Sequence, residues 1–212
     1  LINQYGEETA EKILAESHKP HPVTLRVNSL KTTGEELTDI LKNEGVNASL
    51  SAANCNCVYV DGALNINSSA AYKNGLYTLQ NTSSMAAAET LDPKPGELVL
   101  DMCAAPGGKT TYISELMQNR GRVRAFDIHP HKIELINSAA KRLGISIIEA
   151  EENDASVLKT DLIGMADRVL ADVPCAGIGV IHKKPDIKWR RTAEDIPKLC
   201  RIQYKILCNA AE

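Results

Sequence analysis

Leu98-Val-Leu-Asp-Met-Cys-Ala-Ala-Pro-Gly-Gly-Lys-Thr110 is the stretch on which the fold turns. Its first five residues, Leu98 to Met102, read as a buried strand. A loop of small residues follows, and a helix is predicted to begin near Lys109. Gly107 and Gly108 remove side chains where the backbone must turn and approach a ligand closely. The free N–H groups of a helix starting at this point favour a carboxylate or a phosphate.

Working outward, three more runs read as strands: Arg122 to Asp127, Ser146 to Glu149 and Arg168 to Asp172. Helical stretches beginning near His131 and Ala155 separate them. Regular alternation with short links predicts an α/β fold, a parallel sheet with helices on both faces. A last helix opens at Thr192-Ala-Glu-Asp195 and presents Ile196, Leu199, Ile206, Leu207 and Ala210 at helical spacing. Cys200 and Cys208 lie in that pattern and are expected in the core.

Before Thr82 the pattern is different. Ala10, Ile13 and Leu14 share one helical face, and Pro20 and Pro22 break that helix before the extended run Val23 to Val27. Thr33 with Glu36 forms a capping box for a helix carrying Leu37, Ile40 and Leu41, which Gly45 ends. Short strands are expected at Cys57 to Val60 and Tyr77 to Gln80. The chain therefore divides into a small α+β unit, residues 1–81, and an α/β domain, residues 82–212.

In a doubly wound sheet ligands bind at the carboxyl ends of the strands. Two ligand classes suit the first loop. Gly108-Lys109-Thr110 resembles the tail of a nucleotide-phosphate loop, but that motif needs glycine at position 103, where Cys103 stands. The methionyl carboxylate of S-adenosylmethionine needs the loop without the full phosphate nest. The other strand ends favour the second class. Asp127 lies 20 positions beyond Gly107, where an acid accepts hydrogen bonds from ribose hydroxyls. Asn153-Asp154 follows the third strand, within reach of an adenine amino group, and Asp172 ends the fourth. A nucleotide hydrolase with a degenerate phosphate loop, and a noncatalytic RNA-binding module keeping a vestigial pocket, stay open as alternatives.

Asp172-Val-Pro-Cys175 leads into Ala-Gly-Ile-Gly179. A cysteine after proline, in a glycine-containing loop at such a strand end, is a candidate for covalent catalysis. Carbon 5 of a pyrimidine resists methylation until a thiolate adds to carbon 6. Carbon 5 then takes the methyl group, loses its proton, and the sulfur is expelled. The base must be single-stranded or flipped out to present that face.

Composition sets outer limits. Hydrophobic residues make up 43% and charged residues 24% of 212, ordinary for a globular protein. No run approaches the ~18 apolar residues of a membrane span, and the amino terminus does not resemble a signal peptide. A cytoplasmic monomer without membrane or metal partners is the expectation. Of six cysteines only Cys55 and Cys57 are close, which does not make a zinc motif. The net charge of -3 argues against nonspecific nucleic-acid coating but leaves room for local basic clusters. Those are Lys183, Lys184, Lys188, Arg190 and Arg191, and Lys19 with Arg26 and Lys31.

Asp101 to Thr110, Asp127, Asp154, Asp172 to Cys175 and Lys184-Pro-Asp-Ile-Lys-Trp189, taken together, resemble the Nop/Sun family of RNA cytosine-5 methyltransferases, particularly the bacterial Sun-type (Fmu) enzymes acting on small-subunit ribosomal RNA. Leu25-Arg-Val-Asn28 extends the likeness into the first unit. The resemblance implies a Rossmann-like class I methyltransferase sheet and S-adenosylmethionine as cofactor. Cys103, Ala104, Ala105, Pro106, Gly107, Gly108 and Lys109 would cradle its methionine part, Asp127 the ribose, Asp154 the adenine, and Asp172 the region near the reacting groups. Residues 1–81 would be an RNA-docking subdomain with Arg26 on its RNA-facing side, and Lys183, Lys184, Lys188 and Arg190 would line the RNA channel. The implied partner is RNA, ribosomal foremost and transfer RNA second. Cys175 matches the family's Pro-Cys cysteine, which assists product release; the nucleophile belongs to a later Thr-Cys pair, and no Thr-Cys occurs in this sequence. Together with the missing initiator Met and the missing amino-terminal helical domain of Sun-type enzymes, this leads us to expect a fragment of a longer, active protein.

Overall fold

A computed structural model describes residues 2–16, 22–181 and 184–212. Lys19, Pro20 and Lys183 lie outside the described residues. By contacts the chain forms two compact units. The larger comprises residues 22–173 and 203–212 and holds both sheets. The smaller comprises residues 1–21 and 174–202. Within the smaller one, α1 (Ile2–Tyr5) and α2 (Glu7–Glu16) form a helical pair in which Ala10 is buried.

In the larger unit the first sheet is antiparallel. Its strands β1 (Val23–Val27), β2 (Asn47–Leu50), β3 (Cys57–Asp61) and β4 (Tyr77–Leu79) lie in the order β2-β3-β1-β4. Between β1 and β2 runs α3 (Gly34–Asn43), started by the capping box expected from sequence: Thr33 accepts from the Glu36 N–H, and Glu36 accepts from the Thr33 N–H. A short helix, α4 (Ala70–Lys73), precedes β4. Alternation along β1 sends Leu25 and Val27 into a core with Leu37, Leu41, Val58, Val60 and Tyr77. Arg26 and its register partner Cys57 face the other way.

The second sheet is parallel, in the order β7-β6-β5-β8. The chain enters it through α5 (Thr82–Leu91), a helix the sequence pattern does not announce, because its apolar residues are mostly alanines. Then come β5 (Leu98–Asp101), α6 (Gly108–Leu116), β6 (Arg122–Asp127), α7 (Pro130–Leu143), β7 (Ile148–Glu152) and β8 (Arg168–Leu170). Each strand returns to the same edge by a crossover, which yields the α/β sheet expected from the alternation.

Three expectations need correction. The third strand runs Ile148–Glu152 rather than Ser146 to Glu149. No α-helix begins near Ala155. Asp154 takes the Ser156 N–H onto its side chain, and only a 3₁₀ turn at Thr160–Leu162 follows, since such a local bond competes with helix formation. Finally, α8 (Ile187–Arg190) and α9 (Asp195–Ala210) follow, but Cys200 and Cys208 of α9 are exposed rather than core residues. On α9 Ile206 is the buried residue, packed with Leu100, Met102 and Phe126; the apolar spacing reads as a wider buried face than forms.

The two sheets are joined at the end of α7. Arg142 donates to the carbonyls of Tyr72 and Tyr77, both at 2.9 Å, and stacks on the Tyr72 ring at 3.9 Å. Asn28 reaches Leu143 O and Gly75 O, and Lys31 reaches Arg142 O. Replacing Arg142 by Met leaves the Tyr72 and Tyr77 carbonyls without their charged donor. The expected loss is about 2–3 kcal/mol, seen in a thermal melt as a fall of roughly 5–10 °C; an unchanged melting temperature would show that this clamp contributes nothing.

Candidate active site

β5 ends at Asp101, and the loop of residues 102–107 folds back over the strand tips. Met102 N–H bonds to Leu170 O of β8 at 2.9 Å, and Ala104 N–H to Phe126 O of β6 at 2.7 Å. The loop is thus stitched to both neighbouring strands. Gly107 caps α6 with φ +100°, a conformation that favours glycine, and a Cβ there would stand 3.3 Å from Ile136 Cα. No side chain caps this helix, so its first N–H groups are free to receive a ligand. The peptide between Ala105 and Pro106 is cis.

Carboxylates surround the loop. Asp127, at the tip of β6, is nearly buried; its Oδ1 accepts from the His129 N–H at 3.0 Å and lies 3.3 Å from Lys132 Nζ. Asn153, after β7, bonds back to Asp127 O at 3.1 Å, which sets Asp154 beside the same edge. Asp172, after β8, is exposed and pairs with Lys109 at 2.6 Å. The strand-tip residues expected from sequence are therefore brought to one edge of one sheet.

Two consequences for titration follow. Burial, helped by Asp101, Asp127 and Asp172, pushes the Cys103 thiol up to about 11, so it is a neutral wall of the loop at neutral pH and no nucleophile. Asp101, not singled out from sequence beyond its place in the motif, is fully buried with its carboxyl pushed up to about 6. Burial outweighs the Thr110 hydroxyl that bonds its Oδ2 at 2.7 Å, and Oδ1 has no partner among the described residues. Its position, last in the strand and first before the loop, was the available signal.

Arg26 corrects an expectation. Rather than facing RNA it is wholly buried, because α5 and α6 cover the face of β1 that alternation leaves outside the first core. It pairs with Glu115 at 2.7 Å, donates to Thr111 Oγ1 at 3.0 Å, to Gly108 O at 2.6 Å and to Gln80, and lies 4.9 Å from the Tyr112 ring centre. Burial pushes the Glu115 carboxyl up to about 7 even beside this guanidinium.

In the smaller unit, Cys175 is exposed. Gly177, at φ +79°, precedes a 3₁₀ turn at Ile178–Val180. Arg191 Nε donates to Ala176 O at 3.2 Å, and Arg190 pairs with Asp186 at 3.2 Å. Lys184 is exposed, and Trp189 is 88% exposed. Lys188 lies in α8. Among the described residues no group of His, Cys, Asp or Glu could hold a metal, and no helix is long and apolar enough to cross a membrane.

Residues 88–212 match the family described as 16S rRNA methyltransferase RsmB/F, and residues 1–67 match its ferredoxin-like domain. The chain belongs to the RsmB/F family. Among curated relatives it is 43% identical, over 98% of its length, to the probable ribosomal RNA small subunit methyltransferase B of Bacillus subtilis, and covers 46% of that protein. It is 36% identical, over its full length, to the human 28S rRNA (cytosine(4447)-C(5))-methyltransferase, of which it covers 26%. It thus spans less than half the length of these RsmB/F relatives. A crystal structure of a methyltransferase homolog from Pyrococcus horikoshii superposes with a TM-score of 0.81 at 32% identity, over 98% of this chain and 65% of that one.

The buried carboxyl gives a direct pH test. A group whose folded pKa lies above its unfolded value holds its proton more tightly in the folded chain. The stability Asp101 contributes is therefore whole below pH about 4 and is lost as the pH rises through about 6. Asp101→Asn removes that titration. From pH 4 to pH 7 the stability of wild type relative to the variant should fall by roughly 2.5 kcal/mol in urea unfolding; parallel curves would place the carboxyl in water instead.

Proposed function

We propose that this chain binds S-adenosylmethionine at the tips of β5 to β8, and that the whole protein methylates carbon 5 of cytosine in RNA, small-subunit ribosomal RNA being the expected substrate. The observation that carries this reading is the placement of acids around the loop: Asp127 ends β6, and Asp172, after β8, pairs with Lys109 of the loop at 2.6 Å. A triphosphate brought to this loop would meet the carboxylates of Asp127 and Asp172. A ligand with an ammonium and a sulfonium meets opposite charge. Membership of the RsmB/F family, and the names of the bacterial and human relatives, support the cytosine and the ribosomal RNA.

When bound, the cofactor would supply an electrophilic methyl group. The chain's own residues do the holding. The first N–H groups of α6, with Cys103, Ala104, Ala105, Pro106, Gly107, Gly108 and Lys109, receive the methionine carboxylate. Asp127 already uses Oδ1 for His129 and Lys132, so Oδ2 accepts from the ribose hydroxyls. Asp154 takes the adenine amino group. Asp172 holds Lys109 at the mouth of the loop and faces the ammonium end. Cys175 assists release of the methylated product, as its Pro-Cys setting resembles the family's. Lys183, Lys184, Lys188 and Arg190 contact RNA phosphates, and residues 1–81 dock RNA ahead of a catalytic domain beginning at residue 82.

Calorimetry tests the cofactor step on this chain directly. S-adenosylhomocysteine should bind and ATP should not, and Asp127→Ala should weaken binding at least tenfold through the lost charged hydrogen bonds. Heat with ATP but none with S-adenosylhomocysteine would reverse the assignment.

A further inference from the structure

Two adjacent glycines at the entrance of α6 give the loop the freedom to approach a ligand and nothing of their own to hold it still. Backbone bonds tie Met102 and Ala104 to the neighbouring strands, and Arg26 supplies the hold at the helix end of the loop. Its guanidinium reaches across from β1 and grips the first turn of α6 at two places, the carbonyl of Gly108 at 2.6 Å and the hydroxyl of Thr111 at 3.0 Å. That hydroxyl in turn donates towards Gly107 O at 2.8 Å or Gly108 O at 3.1 Å. Behind it the fork is braced by Glu115, one turn further along α6, and by Gln80, at the end of the first sheet. All four side chains are buried, so water does not compete for these bonds.

The carbonyl of Gly108 and the N–H of Lys109 belong to one planar trans peptide. Holding the carbonyl from the buried side fixes where that N–H points, and it is one of the helix-start donors left without a side-chain cap. We infer that Arg26 is a positioning residue for the cofactor loop, aiming the N–H groups of α6 at the ligand's carboxylate without touching ligand or RNA itself. The inference rests on the cofactor reading above and adds to it that the antiparallel sheet, through one side chain, shapes the methionine end of the site.

A lysine at this position can keep the charge pair with Glu115, but it lacks the planar fork needed for Gly108 and Thr111 at once. The test compares two ligands on the 212-residue chain: S-adenosylhomocysteine, which carries the amino-acid carboxylate, and 5′-methylthioadenosine, which lacks it. Arg26→Lys should weaken the first about tenfold and leave the second within twofold. Lys31→Met, which removes the bonds to Asn74 O and Arg142 O without touching α6, should leave the ratio of the two affinities unchanged. If Arg26→Lys does not fold, Thr111→Val, which leaves the Arg26–Glu115 pair in place, should shift the ratio in the same direction by a smaller factor. Equal weakening of both ligands, or none, overturns the positioning role while the cofactor reading stands. Failure of the wild-type chain to bind S-adenosylhomocysteine overturns both.

Discussion

Parallel strands can end at a common edge only if the chain crosses back over the sheet between them, and that constraint organises the candidate site in the larger unit. Four successive strand ends fall on one edge, so residues far apart in sequence meet there: the loop after β5, Asp127, Asp154 and Asp172. The loop is bound to both flanking strands through its own backbone, at Leu170 O and Phe126 O. It is therefore a rigid extension of the sheet rather than a free surface turn, which suits a loop that must present donors in a fixed direction.

Packing around that edge sets its chemistry. Asp101 is drawn into the core beneath the loop, and partial burial, with the charges of Asp101, Asp127 and Asp172 in range, keeps the Cys103 thiol from ionising. One result is that the Cys103 thiol stays protonated at neutral pH. Another is an acidic rim on which Asp172 pairs with Lys109 and Asp127 with Lys132, a setting that suits a cationic ligand better than a chain of phosphates.

Much of this was legible in the residues. The capping box at Thr33 and Glu36, the parallel alternation, and the acid at each strand end follow from local chemistry and periodicity. What escaped was non-local. The helix α5 carries alanines whose burial depends on the sheets around it, and β2 is too short to announce itself. The stretch after Asp154 has helical composition, but a side-chain bond to Ser156 diverts it. On α9 the apolar spacing was real, yet Cys200 and Cys208 lie outside the narrow buried stripe around Ile206.

By itself the sequence determined that a glycine-bearing loop would follow a buried strand and that acids would stand at the ends of its neighbours. Those features arise from residues adjacent along the chain. Only the tertiary structure decided the fate of Arg26. Alternation says that its side chain leaves the first core, but whether that face meets water or another element depends on what packs there. Here α6 does, and a cation read as a surface residue becomes a fully buried one, because Glu115 and Gly108 O replace the water it gives up.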